Sequence, residues 1–397
     1  MNDNPFAILT DEPVPDSRVG VGDVIAAGRA RVRRRRGVVT GVCAALVVLI
    51  VSVGVAAAVR APQGTPSDPA PTPSPTVSAD PSGCVATRLP VGEEDIGSAH
   101  TDPSGRYLVF NRAPDPGLIV VYRDGVEVQR FSDGQRLQVT AVSSAGTAVG
   151  RQGGSPDGAA FRTTTQGTLA FLPKPSGALS VSAQGINAAG DIVGEATMPG
   201  KKFRAVLWRH SAPDVAVLLP TPSGSSSAAH DIADDGRIVG DFNQGEQPVL
   251  WNADLSTTVL PTPPGRPGGV AQRIAGDWVI GPVNFLAMNG FDAATGRRTG
   301  AGDIPPARWH LSAGTVEPLV APDIFAGGNS VTADGTVLVN RFDGVVRWTG
   351  ATVTPVPAPR GYNHAQIESV SADGRLLAGA ATKSTGGSIE PFAWTCR

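Results

Sequence analysis

Charge is scarce in this chain of 397 residues: Asp, Glu, Lys and Arg make up 17% of it, and Phe, Trp and Tyr only 5%. The formal net charge is −2. Phosphate neutralisation needs a clear basic excess, so a chain built to bind nucleic acid is excluded. Five histidines (His100, His210, His230, His310, His364) and three cysteines show no His-x-His, His-Glu-x-x-His or Cys-x-x-Cys spacing, so no zinc or other metal site is expected. There is no G-x-S-x-G elbow, no P-loop and no Rossmann glycine pattern. The reading is therefore of a protein without an enzyme signature and without a cofactor. Asp234-Asp235-Gly236 is similar to a calcium loop but lacks the remaining ligands, and turn geometry accounts for it.

Abundance lies elsewhere. Glycine (49) and proline (35) make up about a fifth of the chain, which excludes long helical bundles and coiled coils, since these need breaker-poor segments. Eight of the 33 basic and five of the 35 acidic residues fall at or before Arg60, leaving the remainder mildly acidic. Arginine outnumbers lysine 29 to 4, the signature of a GC-rich genome of the actinobacterial kind.

Residues 37–59, GVVTGVCAALVVLIVSVGVAAAV, run for 23 positions without a charge, enough to cross a bilayer core as one helix. Arg29, Arg31 and Arg33 to Arg36 precede this run and only Arg60 follows closely, so the positive-inside rule places residues 1–36 in the cytoplasm and the rest outside. The run exceeds the usual length of a signal-peptide core, and the expectation is an uncleaved anchor in the cell membrane. Residues 60–83 follow as a linker. Seven prolines between Ala61 and Ser82 and almost no apolar side chain give it an extended, polyproline-like character.

Beyond the linker a unit recurs. Its glycine-centred cores are TDPSGRYLVF (Thr101 to Phe110), VSSAGTAVG (Val142 to Gly150), INAAGDIVG (Ile186 to Gly194), IADDGRIVG (Ile232 to Gly240), the shortened IAGDWVIG (Ile274 to Gly281), VTADGTVLV (Val331 to Val339) and VSADGRLLAG (Val370 to Gly379). Each reads as a strand, a tight turn with glycine at positive φ, and a second strand. Trp208, Trp251, Trp309, Trp348 and Trp394, with Tyr122 and Phe161, mark a third strand; Leu172-Pro173, Leu219-Pro220 and Leu260-Pro261 close a fourth. Four short strands repeated seven times at about 45 residues predict a seven-bladed, all-β propeller over residues 84–397.

The last unit stops after its third strand at PFAWTCR, while CVATRLP (Cys84 to Pro90) carries the closing Leu-Pro before the first unit begins. The N-terminal strand is therefore expected to complete the last blade and bring Cys84 beside Cys396, where an oxidising compartment would join them.

INAAGDIVG followed by AVLWRH and LLP resembles HAF-type extracellular repeats, and DPSGRYLVF is similar to the repeats of TolB-type propellers. The resemblance implies a fold and carries no catalytic residues across. The head, Asp11 to Arg36, resembles the cytoplasmic heads of actinobacterial membrane proteins, some of them associated with sigma factors.

Two residues before the apolar residue that opens each core stand Thr140, Gln184, His230, Gln272, Asn329 and Glu368, with Ala99 in the first unit. This is a candidate ligand-binding ring at one mouth of the central channel; its rival is a set of side chains that satisfy backbone groups. The expected function is that of a single-pass, membrane-anchored extracellular module that binds a ligand or a protein without catalysis. Candidate partners are the bilayer through one helix, a cell-wall polymer or extracellular protein outside, and a regulator inside. The alternatives are a transmembrane signalling partner, a sigma-factor-associated sensor, and a propeller hydrolase or lyase using His230, Asp231 and Glu368.

Overall fold

The computed structural model describes residues 83–396 apart from 90–95, 113–117, 133–135, 154–157, 165–166, 284–290, 293–296, 299–304, 320–329, 342–343 and 384–388. The head, the apolar run and nearly all of the linker lie outside the described residues.

Seven four-stranded antiparallel sheets succeed one another along the chain, at 96–132, 137–171, 180–218, 227–259, 273–318, 330–356, and 364–396 together with Cys84–Arg88. The fold is a seven-bladed β-propeller. Among the described residues the only helical element is a 3-10 turn, Pro199–Lys201. Each of the full-length glycine-centred turns places its glycine at positive φ, from 71° at Gly374 to 86° at Gly236, and closes with a hydrogen bond such as Gly190 N to Asn187 O at 3.0 Å. The fifth blade departs from the others as its sequence does. Its turn shortens to Gly276-Asp277, and a small ladder pairing Phe291–Asp292 with Arg297–Arg298 is inserted between its second and third strands.

Every predicted aromatic marker falls on a third strand, and the packing explains why the position recurs. Trp208 of blade 3 is buried in one cluster with Val149, Ala160 and Leu172 of blade 2; Trp251 joins Val193, Leu207 and Leu219 of blade 3; Trp309 joins Val239, Leu250 and Leu260 of blade 4. One large ring thus fills each gap between neighbouring sheets. The Leu-Pro signature belongs to the same device. The closing leucine extends the fourth strand, and the proline carbonyl accepts the indole N–H of the next blade: Trp208 to Pro173 at 2.8 Å, Trp251 to Pro220 at 2.8 Å and Trp309 to Pro261 at 2.7 Å. Trp251→Phe keeps a ring in the gap but leaves the Pro220 carbonyl unpaired and a small void, for a loss of about 2 kcal/mol. Trp348 bonds only Gly350 of its own turn, so Trp348→Phe should lower the thermal midpoint less.

Closure follows the predicted scheme. Cys84–Arg88 pairs antiparallel with Ile389–Cys396 in the register Cys84↔Cys396 through Arg88↔Phe392 and supplies the fourth strand of blade 7. Leu89 N donates to Pro391 O at 3.0 Å, as Leu172, Leu219 and Leu260 do within their own blades. Cys84 and Cys396 form a disulfide.

Candidate functional site

The first strand of each blade lines the central channel, and four of these strands carry a β-bulge at the position singled out above. The register slips between Val139 and Ala141, between Ala183 and Gly185, between Ala229 and Asp231, and between Ile367 and Ser369, so Thr140, Gln184, His230 and Glu368 are the unpaired residues. In blade 1 the slip lies instead between Ile96 and Ser98, which places Ala99 in a regular pair with Phe110. A bulge changes the alternation of faces, so the residue after it also turns toward the channel.

That following position reads His100, Ala141, Gly185, Asp231, Arg273, Ser330 and Ser369 around the seven blades. All except Gly185 line a cavity of about 430 Å³ that extends to the turns carrying Pro103, Ala233 to Asp235, Gly276, Ala333 and Ala372. Gly185 makes room for its neighbour, since a Cβ there would lie 2.9 Å from Asp231 Oδ1.

The candidate ring itself is split. Thr140 and Gln184 line the cavity. His230 turns to Asp241, with Nε2 and Oδ1 2.7 Å apart, and Glu368 accepts the Ala99 backbone N–H at 2.6 Å; neither these two nor Gln272 is part of the wall. Asn329 lies outside the described residues. Of His230, Asp231 and Glu368, the residues named for a hydrolase, only Asp231 faces the cavity. His100 and Arg273, one residue beyond the position singled out in the sequence, were missed.

Several wall groups hold adjacent blades together. Thr140 Oγ1 donates to Ala183 O at 2.9 Å, Ser330 Oγ to Glu368 O at 3.3 Å and Ser369 Oγ to Thr101 O at 3.2 Å. Asp231 accepts Ile232 N at 3.0 Å on one oxygen and Ile274 N at 3.1 Å on the other. Arg273 Nη1 donates to Gln272 O at 3.1 Å and more weakly to His230 O at 3.5 Å. Among the described residues no carboxylate forms an ion pair with Arg273. At the rim, Asp235 pairs with Arg237 at 2.8 Å and Asp234 accepts Ala188 N at 2.8 Å.

Burial raises the Asp231 carboxyl above the usual range, against the pull of the Arg273 charge and two backbone N–H groups. Burial, then the Arg273 charge, lowers the His100 imidazole from 6.5 to about 3, and its hydrogen bond to Val139 opposes the shift. His100 is thus neutral in the folded protein at any ordinary pH. The unfolded chain binds a proton at His100 that the folded one does not, so stability falls as pH drops from 6.5 toward about 3. In His100→Gln the decline of the thermal midpoint between pH 7 and pH 4 should be shallower than in the parent, read by circular dichroism; parallel curves would show that His100 does not carry this proton linkage.

No protein-family model matches the chain, and no curated protein matches it in sequence. Solved structures do match it in fold. A catalytically inactive variant of virginiamycin B lyase from Staphylococcus aureus, crystallised with quinupristin, is 14% identical with a TM-score of 0.52, over 79% of this chain and 98% of that one. The RRP9 WD40 repeats are 12% identical with a TM-score of 0.52, over 81% and 100%. U3-55K is 12% identical with a TM-score of 0.51, over 78% and 98%. A lyase and WD40 repeats share the architecture, so these likenesses establish the β-propeller fold alone.

Proposed function

We propose that the chain is a single-pass membrane protein whose propeller stands outside the cell and binds a ligand or a protein partner through the channel, without catalysing a reaction. The cavity of about 430 Å³ carries the binding part of this reading: seven strands from seven blades converge on one chamber of ligand-site size, with an arginine, an aspartate and a neutral histidine on its wall. The buried disulfide supports an oxidising compartment, and the apolar run 37–59 behind its arginine cluster supports the anchor. The HAF-type and TolB-type resemblance of the repeats is consistent with the same placement. The absence of His230 and Glu368 from the cavity wall, where Asp231 stands, supports binding over acid–base catalysis.

Two measurements test the reading. Protease added to intact cells should remove an epitope at the C-terminus and spare one at the N-terminus; protection of both would reject the topology. Full-length protein exposed to pools of wall fragments and secreted proteins should retain a component that an Ala141→Trp variant, with its cavity filled, does not. Retention of nothing, or of the same components by both proteins, would reject binding through the channel.

A further inference from the structure

The wall of the channel cavity is chemically lopsided. Most of its polar groups are already occupied by backbone: Thr140, Ser330, Ser369 and one oxygen of Asp231 by that of a neighbouring blade, and the other Asp231 oxygen by Ile232 N of its own strand. The rim acids Asp234 and Asp235 are occupied as well. Among the charged groups of the wall, the guanidinium of Arg273 is the exception. It uses Nη1 on two carbonyls, has no carboxylate partner among the described residues, and its charge is felt at Asp231 beside it and at His100 in blade 1. His100, neutral on the cavity wall, carries one acceptor nitrogen in either tautomer.

We propose that the cavity takes a compact carboxylate with a hydroxyl or amide N–H close to it, the carboxylate meeting the open edge of Arg273 and the donor meeting His100. This rests on the reading of the cavity as the binding site and adds the class of ligand. A planar guanidinium matches a carboxylate with two parallel hydrogen bonds, which a neutral carbonyl cannot replace. A single cation with Asp231 beside it favours a monoanion over phosphate, whose second charge would face the aspartate. Sugar acids and peptide C-termini both present this pair of groups.

Purified full-length protein titrated calorimetrically with glucuronate and with N-acetylalanine tests the proposal, with glucose and N-acetylalaninamide as the neutral counterparts and inorganic phosphate as the dianion. At least one of the two acids should bind with a Kd of about 1 mM or tighter and at least about tenfold better than its counterpart. Arg273→Gln should abolish that preference, and Arg273→Lys, which keeps the charge but not the two-pronged geometry, should retain part of it. Arg237→Gln at the rim should leave it intact. A preference that survives Arg273→Gln, binding of neither acid, or tighter binding of phosphate would each overturn the assignment. The two layers fail separately. A partner retained by Ala141→Trp removes the channel reading itself, whereas one lost in Ala141→Trp but retained by Arg273→Gln removes only the carboxylate.

Discussion

Replacing Cys396 with serine is expected to lower the stability of the propeller by about 2–5 kcal/mol, one of the two largest effects anticipated for any single substitution. The bond joins residues 312 positions apart, so cutting it frees a loop that spans the entire ring. The loop-entropy estimate for so long a closure is about 5 kcal/mol, and measured bridges commonly give less. What remains is the antiparallel ladder from Val85↔Thr395 to Arg88↔Phe392, a short strand held by hydrogen bonds and the packing of Leu89. Blade 7 should therefore open first, and amide exchange in Cys84–Arg88 and Ile389–Cys396 should accelerate more than in blades 3 and 4. The double variant Cys84→Ala/Cys396→Ala separates the lost bond from the burial of a serine hydroxyl. An unchanged midpoint in both proteins would show that the ladder alone closes the ring.

A comparable loss, about 3 kcal/mol or more, is expected of Gly240→Ala. This glycine is the last letter of the unit IADDGRIVG, and its backbone angle lies outside the positive-φ region that restricts other residues. The cause is contact: a Cβ would lie 1.9 Å from the carbonyl oxygen of Ala228 in the first strand. Gly150, Gly194, Gly281 and Gly379 stand in the same relation to Gln138, Ser182, Val270 and Gln366, at 1.8–1.9 Å. In blades 2, 3, 4 and 7 the approached carbonyl lies two residues before the bulge, where the slipping strand swings its oxygen onto the neighbouring one. Neither backbone can retreat without breaking the sheet. Gly158→Ala, whose added methyl would find its nearest atom at 3.6 Å, is the control and should be close to neutral by chemical denaturation. Equal midpoints for the two variants would contradict the steric account.

The repeated glycines also show what was legible in the chain and what was not. Blade number, third-strand tryptophans, closing Leu-Pro and the pairing of the two ends could be read because each leaves a residue of distinctive size or chemistry at a fixed offset. The channel wall left a subtler trace. Counting back two residues from each core singled out Thr140, Gln184, His230, Gln272 and Glu368, of which Thr140 and Gln184 line the cavity; the next position along brings His100, Asp231 and Arg273 there, and in blade 4 the bulge at His230 turns Asp231 inward. The signal available for Asp231 and Arg273 is the glycine within the second strand of their blades, Gly240 and Gly281: a glycine recurring mid-sheet, away from any turn, marks a backbone pressed against it. His100 left no such trace. Blade 1 has Phe110 paired with Ala99 and blade 6 has Val339 at the corresponding place, and neither shows a slip at that position among the described residues. The blade-5 insertion was visible only as spacing, because the residues between Pro282 and Pro306 carry no repeat.

Cys84 and Cys396 face each other at one end of their ladder, so the first and last residues of blade 7 lie side by side. Tension applied through the residues before 83 therefore reaches a covalent bond before it reaches any hydrogen bond of the sheet. Pulled from that side, the oxidised ring would bear load as a single piece, with the edge strand unable to peel away. Once reduced, the same pull would unzip that strand one pair at a time, so the mechanical strength of the closure would report the redox state of its surroundings.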